Sequence, residues 1–153
     1  MIARVKRIAD LRIIFLNKTE FVLSDNLKFQ IRKIFLTAYN LLKIKNNLEI
    51  NLILVSPTEI KKLNKKYRQK NYQTDVLSFK SNIPIRDSQI LGDIVICPKI
   101  AEANALKLNH SWQTEILILS IHGFLHLANL DHSKPKLRKK WREIFTKLKN
   151  IIE

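Results

Sequence analysis

At 153 residues with 46% hydrophobic content, the chain is sized for a single domain over 1–153 with a real core, and no apolar run approaches the ~20 residues of a membrane span. Lysine and arginine number 28 against 13 for aspartate and glutamate, a net charge of +15, so a polyanion, RNA or DNA, is the natural partner: cations that neutralise phosphates release condensed counterions. A lone cysteine, Cys97, excludes an internal disulfide framework and fits a reducing cytoplasm.

The first twenty residues, MIARVKRIADLRIIFLNKTE, are basic. Charges interrupt their apolar part and no small-residue cleavage site follows, so a cytoplasmic rather than an exported protein is expected. RIIFLN (12–17) reads as a strand. Residues 24–43 open on Ser24 and Asp25 as N-caps and set Leu27, Ile31, Ile34, Phe35, Ala38 and Leu42 along a helical stripe. LEINLILVS (48–56) is a strand ending at Pro57, and SPTEIKKLNKKYR is a short helix capped by Ser56 or Thr58 with Glu59 in its first turn. DVLSF (75–79) and GDIVIC (92–97) are short β-rich runs, with the polar SNIPIRDSQ between them expected as a loop. Pro98 opens a helix through Leu108. Residues 112–128 are apolar nearly all round, which marks a buried helix, and LRKKWREIFTKLKNII after SKP makes a final amphipathic one. Strands and helices intersperse without strict alternation, so the class is α+β or mixed α/β.

The buried helix runs into HGFLHLANLDH, residues 122–132, which holds three of the four histidines. At about 100° per residue, His122 and His126 differ by roughly 40° and share a helix face, the geometry two imidazoles need to reach one metal ion. His132, six residues on, would point about 120° away on a continuous helix, so it joins only if the helix stops and the chain doubles back. Asn129 supplies that stop, being the commonest substitute for glycine in the left-handed conformation that ends helices. Asp131 then stands beside the third ligand as an acceptor that could orient an imidazole, and Glu115, seven residues before His122 on the same stripe, is a second such candidate. Single histidines on buried helices are ordinarily satisfied core residues. Three in eleven residues at ligand spacing are better explained by a metal, because three buried imidazoles without partners would be costly. Zinc leads, and nickel, cobalt or copper would also accept imidazoles. Three protein ligands leave a coordination position open, the pattern of a catalytic site. Cys97, at the end of its strand, reads as a small buried apolar residue rather than a fourth ligand. Where a zinc peptidase of the H-E-x-x-H kind carries its general base, this chain has Gly123, whose missing Cβ lets something pack closely on the helix.

This window resembles the H-G-x-L-H-L-x-G-x-D-H pattern of the YbeY family, bacterial single-strand endoribonucleases tied to ribosomal RNA maturation. LNKKYRQKNYQTDVLSF (63–79) is similar to that family's YR pair followed by a T-(D/N)-V-L-S-F strand, and LGDIVIC (91–97) to its L-G-D-I-V-I-C strand. The likeness spans nearly the whole chain, least over residues 1 to about 20. It implies a compact α+β domain with a mixed sheet of about four strands, and a buried helix carrying two of the ligands of a metal held by His122, His126 and His132. It also singles out Arg68 as matching a functionally required arginine of the active cleft, which KKYRQK by itself would leave as a surface cation. Asn129 and Leu130 stand where the family has Gly and Tyr, and the basic stretch from Lys134 to Lys149 departs from its more acidic one.

The resulting expectation is a zinc-dependent endoribonuclease, a hydrolase of single-stranded RNA acting in rRNA processing at the 16S 3′ end and in ribosome quality control. Arg68 would hold the scissile phosphate, and Lys65, Lys66, Lys70 and Tyr72 would carry the strand by phosphate contact and stacking. The expected partners are precursor rRNA and the ribosome or its proteins, with no membrane. Two other readings stay open: a metzincin-like zinc peptidase, which the missing Glu and the charge oppose, and an RNA-binding module with a structural metal, which would leave the open ligand position idle.

Overall fold

The computed structural model describes residues 10–130 and 132–152. In chain order it comprises β1 (Leu11–Asn17), α1 (Asp25–Leu41), β2 (Asn47–Leu54), α2 (Pro57–Arg68), β3 (Val76–Ile85), β4 (Ser88–Ile96), α3 (Pro98–Lys107), α4 (Trp112–Leu127) and α5 (Pro135–Ile152). Serines start three of the helices. The hydroxyls of Ser24, Ser56 and Ser111 accept from the backbone N–H of Leu27, Glu59 and Thr114 at 3.1, 3.2 and 3.1 Å, each satisfying one otherwise orphaned donor. The α2 cap is therefore Ser56, not Thr58.

The strands form one mixed sheet in the order β1-β2-β4-β3, with β1, β2 and β4 parallel and β3 antiparallel to β4 at the edge. The α+β class and the four-stranded mixed sheet expected from the sequence are both present. The period of two sorts each strand onto two cores. Ile94 and Ile96 of β4 join the main core with α1, α4 and α5, whereas Val95 and Cys97 join a smaller one on the other face with Leu77 and Ile60 of α2. The α4 helix is packed from several sides, as its all-round hydrophobicity demanded; its Phe124 ring meets Phe35 of α1 at 5.1 Å.

One expectation fails. SNIPIRDSQ is not a loop, because β3 continues to Ile85 and β4 begins at Ser88. Polar composition misled here, since β3 is the edge strand and its residues face water. Pro84 is tolerated at an edge, where the missing N–H costs no ladder bond. The extension is irregular: the register shifts between Lys80 and Ile83, with Asn82 and Arg86 at φ 49° and 45°.

Two glycines let α4 lie close to this sheet. A Cβ on Gly123 would stand 2.7 Å from Cγ2 of Ile94, which is fully buried and cannot yield. A Cβ on Gly92 would run into the Phe79 backbone oxygen and stand 2.8 Å from Cδ2 of Leu127 at the end of α4. Gly92→Ala should therefore lower stability by about 3 kcal/mol or more, beyond ordinary overpacking, because a strand backbone has to move. Urea unfolding checks this; an unchanged midpoint would mean that β3 and α4 yield freely.

Candidate active site

The α4 helix presents His122 and His126 to a cleft of about 170 Å³ lined by Val76, Ser78, His122, Gly123, His126, Leu130, His132 and Trp141. The cleft opens where Val76 and Ser78 pair with Ile96 and Ile94, at the carboxyl end of the parallel strands, the end at which open α/β sheets ordinarily bind ligands. A larger recess of about 790 Å³ lies at the opposite end, lined by Asp10, Arg12, Asn47 and Asp87 among others, and holds none of the histidines.

The third histidine arrives by the chain reversal that the spacing required. Asn129 takes the left-handed conformation at φ 64°. Its N–H donates to the His126 carbonyl at 3.1 Å and the Leu130 N–H donates to that of Leu125 at 2.9 Å, the paired bonds of a Schellman ending, with Leu130 buried beneath them. Arg138 of α5 then donates from Nε to the His132 carbonyl at 3.1 Å. The apolar side of α5 forms a wall of the cleft: Trp141 lies 5.3 Å from the His122 ring and 4.9 Å from the His132 ring, and Phe145 lies 4.9 Å from His122.

Two features suit these imidazoles to metal binding. Burial, reinforced by the charge of His132, pushes the His122 pKa below its usual value, which keeps the ring neutral, and a ligand must be neutral. Asp75 and Glu115 pull weakly the other way. The Ser78 hydroxyl stands 2.7 Å from His126 Nδ1, so coordination through that ring would fall to Nε2. Among the described residues, no three His, Cys, Asp or Glu side chains already converge on one point, so an ion held by all three histidines would require side-chain movement. The donor chemistry fits a borderline transition metal: three imidazoles line one cleft, one of them oriented from behind and one held neutral.

The other sequence-derived candidates divide. Arg68 ends α2, and its Nη2 donates to the Ser78 carbonyl at 2.7 Å while its guanidinium lies 5.6 Å from the Phe79 ring centre. An edge strand has backbone groups that no neighbouring strand takes up, and Arg68 reaches over that edge. Its position is braced by Gln69 at φ 56° and by buried Asn64, whose side-chain amide donates to the Tyr72 carbonyl at 3.0 Å. Lys65, Lys66, Lys70 and Tyr72 are exposed around this turn. Asp131 lies outside the described residues. Glu115 is buried, but its carboxylate is engaged 2.5 Å from Nε2 of His110, the fourth histidine, so it reaches His122 by charge rather than by contact. Cys97 is fully buried in the smaller core with its pKa raised by burial, a packing residue as expected. Sequence reasoning passed over Ser78 and Trp141. Alternation in DVLSF already set Ser78 on the face of Val76, but nothing in the sequence said that this face meets α4.

A family model described as Endoribonuclease YbeY matches residues 13–153. The chain belongs to the endoribonuclease YbeY family. It is 40% identical over 107 residues to Endoribonuclease YbeY of Thermotoga maritima, covering 70% of this chain and 67% of that relative. Endoribonuclease YbeY of Wigglesworthia glossinidia brevipalpis is 44% identical over 110 residues, covering 71% and 68% respectively. The solution structure of TM1509 from Thermotoga maritima superposes with a TM-score of 0.63 at 33% identity, covering 92% of this chain and 88% of that one. The α+β fold expected of a YbeY domain is thus the fold observed. No helix among the described residues is long and apolar enough to cross a membrane.

Proposed function

We propose that this chain is a metal-dependent endoribonuclease that hydrolyses phosphodiester bonds of single-stranded RNA, acting in rRNA maturation such as 16S 3′ end processing, on precursor RNA presented by the ribosome or its proteins. The observation that carries the reading is the convergence at Ser78 of two functional groups: Arg68 on its carbonyl and His126 on its hydroxyl, beside a cleft shared by His122 and His132. Family membership supports RNA as the substrate class, and the +15 charge suits it.

His122, His126 and His132 are the residues that would hold the ion, with zinc preferred for an imidazole set. The chemistry a bound ion supplies at such a site is Lewis-acid polarisation of a phosphoryl oxygen or of a water. Arg68 contributes a permanent cation with a planar fork of donors, able to hold the scissile phosphate and stabilise charge building on its oxygens. Lys65, Lys66 and Lys70 meet neighbouring phosphates, and Tyr72, 53% exposed, offers a stacking face. The α5 helix adds seven lysines and arginines against one glutamate. Trp141 and Phe145 pack beside the His122 ring, whose burial lowers its pKa.

The test compares substrates. Labelled single-stranded RNA should be cut, an unfolded protein should not, and His122→Ala should abolish RNA cleavage. Proteolysis that His122→Ala removes, with RNA left intact, would make the chain a peptidase instead.

A further inference from the structure

We propose that Arg138 is a second phosphate-binding arginine beside the cleft, and that the side of α5 that begins with it carries the RNA strand away from the histidines. The inference rests on the RNA reading above and locates part of that substrate.

Arg138 repeats on the α5 wall of the cleft what Arg68 does on the β3 wall. Arg68 donates to the Ser78 carbonyl, and Arg138 donates from Nε to the His132 carbonyl at 3.1 Å; Ser78 and His132 both line the cleft. A guanidinium has five N–H donors, and the single bond from Nε fixes its orientation while the two Nη groups keep theirs. Those groups form an edge that grips a phosphate with two parallel bonds. The side chain is exposed, so a strand can reach it.

The helix extends the pattern. At about 100° per residue, Arg138, Arg142 and Lys149 recur at intervals of four and seven and share one side of α5. All three are exposed, and they run beside Phe145, whose ring lies 4.9 Å from that of His122. Glu143 is the one carboxylate of α5, and the first turn has none. Cations near the start of a helix meet the positive end of its dipole, a local cost that a bound anion offsets. A row of cations leading from the cleft suits a chain of phosphates better than an isolated anion. Lys140 lies about 200° round the helix from Arg138, so it is off this row and serves as the control.

The experiment measures binding of a fluorescein-labelled single-stranded RNA to the full-length chain by anisotropy at several salt concentrations. Excess chelator keeps cleavage out of the measurement. Arg138→Ala should weaken binding by about 10-fold and lower the salt slope by about one, and Arg142→Ala should cost about 3-fold. Lys140→Ala removes the same charge and should stay within about 2-fold. Arg138→Lys should recover part of the affinity, because it keeps the charge without the planar fork. With metal restored, Arg138→Ala should raise KM for RNA and hold kcat. If Arg138→Ala binds no more weakly than Lys140→Ala, the proposal is overturned, and the helix is a diffuse basic surface or a seat for an acidic protein. Unchanged RNA affinity with loss of bound metal would also overturn it, making Arg138 a prop for His132. If RNA bound as expected but was never cut, the nuclease reading would fall and the Arg138 site would stand. Thermal unfolding of each variant checks that α5 stays docked.

Discussion

Arg68→Lys should be nearly as inactive as Arg68→Ala, each losing about 10² to 10³ in turnover while RNA affinity changes little. The expectation follows from what the guanidinium can do that an ammonium cannot. Arg68 spends one nitrogen on the Ser78 carbonyl and lies against the Phe79 ring, a fixed orientation that leaves its other donors for a phosphate. Lysine preserves the charge but loses the planar fork, so it cannot hold the strand carbonyl and a phosphate in one plane. Lys66 is the control. It is exposed, its ammonium 5.1 Å from the Tyr67 ring, and Lys66→Ala should weaken RNA binding and reduce the salt slope by about one without touching turnover. Single-turnover kinetics at two salt concentrations separate the cases. Should Arg68→Lys keep full turnover, or Arg68→Ala and Lys66→Ala share one modest binding defect, Arg68 is simply another groove cation.

His126→Ala should reduce bound zinc from about one per chain to a small fraction and take RNA cleavage to background. The ring is only half-buried and its backbone sits in the last turn of α4, so the loss should come without unfolding. Metal analysis of purified wild type and variant, beside a circular dichroism melt, reads both. Equal metal content in the two would remove His126 from the site.

Much of this was legible from local pattern. The helical period exposed the buried helix, and the interval of four placed His122 and His126 on one side of it. Asn129 announced the end of that helix, since few residues besides glycine accept a positive φ at low cost, and the structure has it at φ 64°. Gly123 announced a close approach, which proves to be Ile94 of β4. These readings succeeded because each depends on residues within a turn or two of one another. The hairpin failed for the corresponding reason: a strand whose partner supplies its hydrogen bonds, and whose edge faces water, looks polar and irregular in isolation.

The sequence by itself determined the class of the fold, the histidine pair, the chain reversal that brings His132 back, the basic surface and the resemblance to YbeY proteins. Only the tertiary structure decided which groups meet across elements. It gave Glu115 to His110, set Trp141 and Phe145 of the last helix against the histidines, and left Cys97 in a separate core. It also brought Ser78, 10 residues from Arg68 and 48 from His126, between the two. Spacing along a chain fixes neighbours on one helix or strand, but a contact between α2, β3 and α4 depends on sheet order and packing depth, which no local period encodes.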